Sequence, residues 1–241
     1  MLRATLVVLA SAALLLAGCG DDDNGGSTAN DQETADEAIA AVEQSLRDDG
    51  FSATADEDDD DLTFESTECR EFDEAFPGDG QDLPGETASA ESAEFERSDL
   101  APAGGVQETV RAFAGFVEES DDLDPVLELV NDERFGPCLE EAFRIGAEAA
   151  AAEDQATVAV GDVEIDQLGS EGLGDIGGGV QLTGEVTSSG FTVPFSVAFQ
   201  LVRADRALVA IVTTAVGPDE PTADRAALVQ ILVDSVSDQS T

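Results

Sequence analysis

The sequence contains no lysine, histidine, tyrosine or tryptophan among its 241 residues. Without lysine there is no Schiff base, no lysine of a phosphate-binding loop and no Ser–Lys dyad. Without histidine there is no Ser–His–Asp or Cys–His catalytic site and no imidazole-bound metal. Catalysis would have to use a carboxylate pair or a carboxylate-bound metal, as in a hydrolase. We predict no catalytic residue, no metal site and no cofactor, and keep such a hydrolase as the alternative.

Positive charge is also scarce, because ten arginines face 54 aspartates and glutamates and the formal net charge is −44. A chain of this charge is repelled by phosphate backbones, so we expect no nucleic-acid partner. Apolar residues make up 42% of the chain, which is enough for an ordinary hydrophobic core. The acidity is typical of salt-adapted exported proteins and predicts that stability rises with NaCl. Coding bias in a GC-rich genome is the alternative origin of the composition.

The N-terminus has the features of a bacterial export signal. Met1-Leu2-Arg3 is a short basic start, and the apolar run up to Leu16 is too short to span a bilayer. The run ends in Leu16-Ala17-Gly18-Cys19, which resembles the bacterial lipobox. The resemblance implies cleavage before Cys19 and attachment of a diacylglyceryl group to it. We therefore expect a protein anchored in the membrane through Cys19 on its extracytoplasmic face; the alternative is an ordinary signal peptide with an incidental cysteine.

These features divide the chain into three parts. Residues 1–18 are the lipoprotein signal peptide, and residues 19–34 are a flexible acidic tether without periodicity. Residues 35–241 form a single domain.

Two further cysteines, Cys69 and Cys138, lie within the domain. An exported compartment is oxidising enough for them to form a disulfide. The bridge would close a loop of roughly 70 residues and contribute about 4 kcal/mol in the chain-entropy model. Two buried free thiols are the alternative, and a metal site is not expected from two sulfur ligands.

Apolar residues at helical spacing predict helices in five places. The first begins at Ala35 and ends near Asp48, with Gly50 as its C′ residue. The last has Thr222 as its N-cap. The other three cover residues 106–117, 124–130 and 136–147.

From Thr157 onwards, apolar residues recur at every second position and predict strands. The clearest strand alternates without a miss from Phe191 to Leu201. Residues 208–216 are apolar on both faces, which is typical of a central strand. We predict an α+β domain in which an antiparallel meander of about five or six strands has helices packed on one face.

Phe191, Phe195 and Phe199 lie on one face of the clearest strand and are the candidate lining of an apolar ligand pocket. Core packing is the alternative. Residues 172–177 match the G-x-G-x-x-G pattern, but a strand follows where a dinucleotide site needs a helix, so we interpret them as a hairpin connection. Residues 56–61 are all acidic but lack the glycine and glutamate of a calcium-binding loop, so we interpret them as a solvated loop.

The C-terminal part of the chain resembles exported actinobacterial lipoproteins and the extracellular sensor domains of kinases. The match runs from Gly172-Leu173-Gly174-Asp175 through Arg203-Ala204-Asp205-Arg206 to Val236 and is one of pattern. These families are similar to PsbP-like sandwiches, and the resemblance implies ligand sensing or envelope maintenance without catalytic residues. We expect a non-enzymatic domain that binds a small apolar ligand or an envelope protein; a structural envelope accessory is a further alternative to the hydrolase.

Overall fold

The structure of the protein is a computed structural model that describes residues 28–54, 64–73, 83–98, 105–153, 157–169, 176–188, 190–218 and 221–237. Within these ranges, five α-helices and nine β-strands form a mixed α+β fold, so the predicted class is confirmed. The helices are α1 (Thr28–Asp48), α2 (Thr67–Asp73), α3 (Asp124–Val130), α4 (Phe135–Glu153) and α5 (Arg225–Ser237). The strands are β1 (Ser52–Ala53), β2 (Glu86–Glu91), β3 (Phe95–Ser98), β4 (Gln107–Val117), β5 (Val158–Val160), β6 (Glu164–Leu168), β7 (Ile176–Ser188), β8 (Phe191–Ala204) and β9 (Ala207–Val216).

All nine described strands belong to one antiparallel sheet, in which the order is β1-β3-β4-β9-β8-β7-β5. β7, β8 and β9 form the predicted meander, whereas β4 reaches β9 from much earlier in the chain. The long strands β4 and β7 each pair with two short strands, which occupy different parts of the same edge. β4 pairs with β3 along residues 107–110 and with β2 along residues 113–117, and β5 and β6 divide β7 in the same way.

Helices cover both faces of this sheet rather than the single face predicted. α1 and α5 pack on the face that presents Val209 and Ile211 of β9. α2, α3 and α4 pack on the opposite face, which presents Leu208 and Ala210 of the same strand. Successive side chains of a strand point to opposite faces, so a strand that is apolar at every position requires a cover on each side.

Residues 107–117, predicted to be helical, form the strand β4. The apolar residues at 106, 110, 113 and 117 have helical spacing, but Ala112, Ala114 and Phe116 between them are also buried. β4 is flanked on both edges and covered on both faces, so the period of two disappears from its sequence. A strand buried on all sides is therefore hard to tell from a buried helix.

The segment predicted as a tether contributes the first turns of α1, which begins at Thr28. Asp31 and Thr34 are buried there, although both lie within the expected 19–34 tether. The other end of α1 agrees with the prediction. Gly50 has a φ of +88°, and the N–H of Phe51 donates to the carbonyl oxygen of Leu46 in a C-terminal cap.

Candidate functional site

Cys69 and Cys138 form a disulfide that joins α2 to α4. The two sulfur atoms are 2.06 Å apart, and the Cα atoms are 5.2 Å apart. Both residues are buried in the core on the α2–α4 face of the sheet. The bridge therefore fixes the short helix α2 against the longer α4.

Glu141 of α4 holds the residues that precede α2. Its Oε1 atom accepts hydrogen bonds from the backbone N–H groups of Glu65 at 2.6 Å and Ser66 at 2.8 Å. Burial acts to raise the pKa of Glu141, but the hydrogen bonds from Ser66 and Glu65 outweigh it and hold the pKa below its usual value. The ionised carboxylate thus stabilises the same joint as the disulfide.

The three phenylalanines of the predicted apolar pocket are divided between core and surface. Phe195 stacks on Phe143 of α4 with ring centroids 4.2 Å apart, and Phe199 meets Phe135 edge to face at 5.2 Å. Phe191, near the turn between β7 and β8, is 64% exposed. Phe195 and Phe199 therefore pack in the core, as in the alternative to a ligand pocket. Rings from α4 fill the space that a ligand would need.

Other candidates from the sequence lie outside the described residues. These are Cys19, the acidic run at 56–61, and residues 172–175 of the glycine pattern. No helix in the described part of the chain is long and apolar enough to cross a membrane. Among the described residues, no group of three or more acidic or cysteine side chains is placed to hold a metal ion.

A cleft of about 270 Å³ lies where the start of α1, the turn between β8 and β9, and the end of α5 meet. Its apolar lining is buried and includes Phe116 of β4 and Val236 of α5. Its polar lining comes from the first turns of α1 and from the connection between β8 and β9. The polar residues are Asn30, Asp31, Thr34, Asp205 and Arg206. We call this site the tether-end cleft.

Asp31 and Arg206 form the charged centre of the tether-end cleft. The Asp31 carboxylate is almost fully buried and accepts hydrogen bonds from the Arg206 guanidinium and, at 2.9 Å, from the Thr87 hydroxyl. The guanidinium also donates to the carbonyl oxygen of Val117 at 2.9 Å and lies over the ring of Phe116. The buried charge on Asp31 is thereby compensated, as a carboxylate out of water requires.

The backbone of the turn brings Arg206 to this position. Ala204 pairs with Ala207 in the ladder, so only Asp205 and Arg206 connect β8 to β9. Asp205 has a φ of +56°, a conformation that aspartate tolerates better than most residues. Such a short connection holds the Arg206 side chain over the start of α1.

The tether-end cleft combines charged, polar and apolar groups. Its ion pair is neutral overall, and the exposed Asp205 adds a negative charge at the surface. Hydroxyl, amide and guanidinium groups lie beside an apolar lining, which suits a small amphipathic molecule. The arginine side chain is 33% exposed, so it remains accessible to such a ligand.

The two central residues of this site do not follow from any local sequence pattern. Asp31 lies in the expected tether, and no local pattern singles out Arg206, because the contact between them joins positions 175 residues apart. One signal was present: positive charge is rare in this chain, so each arginine at a tight turn deserves a search for a carboxylate partner.

The chain was also compared with known proteins. No protein-family model, no curated protein and no solved structure matches it.

Proposed function

We propose that this protein is a lipid-anchored lipoprotein on the extracytoplasmic face of the cell membrane, where its domain binds a ligand without catalysing a reaction. The observation that carries the proposal is the Cys69–Cys138 disulfide in a chain whose remaining cysteine, Cys19, ends a lipobox. Disulfides persist mainly in oxidising compartments outside the cytoplasm. The cysteine usage of the whole chain thus supports export followed by lipid attachment.

The geometry supports the tether-end cleft as the ligand site. Cys19 precedes Thr28, the first residue of α1, by nine positions. At ~3.5 Å per residue, the start of α1 lies within ~30 Å of the lipid anchor. A ligand in this cleft would be held close to the membrane surface. Its mixed lining favours a small amphipathic molecule.

Lipid attachment is tested by growing the source cells with a radiolabelled or alkyne-bearing fatty acid and fractionating them. Wild-type protein and a Ser11→Ala control in the same segment are expected to carry the label and to sediment with membranes. Cys19→Ala is expected to lose the label and to leave the membrane fraction. Equal labelling of Cys19→Ala and the control would contradict the proposal.

A further inference from the structure

A second cavity, of about 90 Å³, lies between the start of α5 and the sheet. Three neighbouring strands contribute polar side chains to it: Thr213 of β9, Ser196 of β8 and Gln181 of β7. Arg225, the first residue of α5, and Glu108 of β4 also line it. The cavity shares no lining residue with the tether-end cleft.

Arg225 is poorly compensated in this cavity. Its Nε atom donates to Oε1 of Gln200 at 3.1 Å, which is a neutral partner. Six other arginines of the described chain form ion pairs, but Arg225 has no carboxylate within ion-pair distance among the described residues. Burial lowers the pKa of Arg225, and the charge of neighbouring Asp224 opposes this only in part. A half-buried cation of this kind is stabilised when an anion binds to it.

The strand side chains supply further donors. The Gln181 amide donates to Oγ of Ser196 at 3.2 Å. Because that oxygen accepts this bond, the Ser196 hydroxyl proton remains available to another acceptor. Thr213 brings a second hydroxyl to the same cavity. A guanidinium with two nearby hydroxyls is a donor set that suits a carboxylate.

Among the described residues that line this cavity, Glu108 is the one acid, and its oxygen atoms accept hydrogen bonds from the segment before α5, which lines the same cavity. Oε2 accepts the backbone N–H groups of Thr222 at 2.8 Å and Ala223 at 2.9 Å. Oε1 accepts the Thr222 hydroxyl at 2.7 Å. These three donors partly compensate the Glu108 charge, which stays at the wall of the cavity. Its remaining repulsion limits the affinity of an anion in the cavity without removing the site.

We propose that this cavity is a binding site for a small carboxylate anion, which pairs with the guanidinium of Arg225 and accepts hydrogen bonds from Ser196 and Thr213. Its volume exceeds the space of one water molecule several times and accommodates an anion of a few heavy atoms. The site is independent of the proposed lipid anchor and of the tether-end cleft.

The test is a titration of the isotopically labelled full-length mature chain with sodium acetate, with NaCl replaced so that ionic strength stays constant. We expect saturable NMR shifts of the Arg225 Nε–H signal and of the Ser196 and Thr213 amides. Arg225→Gln should weaken acetate binding about tenfold or more, since a charge-assisted pair is lost. Arg144→Gln, which removes a surface arginine paired with Glu140, should bind as the wild type does.

Ser196→Val gives an independent variant, because it removes the hydroxyl donor, narrows the cavity and leaves Arg225 in place. We expect this variant to weaken acetate binding. It therefore still tests the site if Arg225→Gln fails to fold. The proposal is overturned if acetate causes no saturable shift beyond that of chloride, or if either folded variant binds acetate as tightly as the wild type.

Discussion

Asp31, in the first turns of α1, accepts a hydrogen bond from the guanidinium of Arg206, 175 positions later in the turn between β8 and β9. Thr87 of β2 donates to the same carboxylate, so three separate segments meet there. This network holds the first turns of α1 against the sheet and forms part of the wall of the tether-end cleft.

Arg206→Gln should lower the free energy of unfolding by about 2 kcal/mol, because it leaves the buried Asp31 carboxylate without its cation. This loss of unfolding free energy is smaller than the loss expected for a fully buried ion pair, because the Arg206 side chain is 33% exposed. Urea unfolding followed by circular dichroism measures it. Arg47→Gln, which breaks a surface pair with Glu43 and removes a guanidinium that lies over the Phe95 ring, is the matched control and should cost about 1 kcal/mol or less. Equal losses in the two variants would show that the Asp31–Arg206 pair has no special role.

Glu108→Gln should destabilise the start of α5. The amide group has one acceptor oxygen where the carboxylate has two, so it cannot accept the N–H groups of Thr222 and Ala223 and the Thr222 hydroxyl as Glu108 does, and it carries no charge to strengthen the bonds that remain. We expect a loss of about 2 kcal/mol in the free energy of unfolding and faster hydrogen exchange at the amides of Thr222 and Ala223. Glu43→Gln on the surface of α1 is the control. Unchanged exchange at both amides would contradict this account of Glu108.

Glu141→Gln should change the pH dependence of stability. The folded-state pKa of Glu141 lies below its ordinary value of 4.5, so the ionised group stabilises the fold above that pH. This contribution is lost as the pH falls through the folded-state pKa. The variant should therefore be less stable than the wild type at pH 7, by about 0.5–1 kcal/mol for a partly exposed group. The difference in stability between the two proteins should shrink below pH 4.5. Thermal unfolding across pH 3–7 measures this difference. A difference that does not change with pH would contradict the role given to the ionised Glu141.

Stability should rise with salt, because the net charge of −44 makes carboxylates repel one another across the surface. Raising NaCl from about 0.1 to 1 M shortens the screening length from about 10 to 3 Å. We expect the melting temperature to increase by about 3 °C or more at pH 7. The increase should be smaller at pH 3.5, where many carboxylates are protonated. A melting temperature that does not change with salt at pH 7 would contradict the prediction.

The sequence was sufficient where local pattern and tertiary environment agree. Phe191–Leu201 alternates because one face of β8 meets α4, and this part of the strand was predicted from its period alone. Gly50 ends α1 because a positive φ there permits the capping hydrogen bonds. Both features depend on residues close together in the chain.

The sequence was insufficient where distant segments decide the structure. Thr222 was predicted to cap α5, but its hydroxyl donates to Glu108, 114 positions away, and Asp224 accepts the Ala227 N–H instead. The period of β4 is obscured by burial on both faces. No local pattern indicates that Arg206 reaches Asp31, so the tether-end cleft could not be predicted.

Native mass spectrometry of the full-length protein, extracted from the membranes of its own host in a mild detergent, tests the central claim most directly. We predict a chain that begins at Cys19, carries covalently attached lipid and retains a noncovalent small-molecule adduct. The adduct should be lost in Arg206→Gln. A chain without covalent lipid, or a lipidated chain whose mass shows no adduct, would contradict the account of a lipid-anchored, ligand-binding protein.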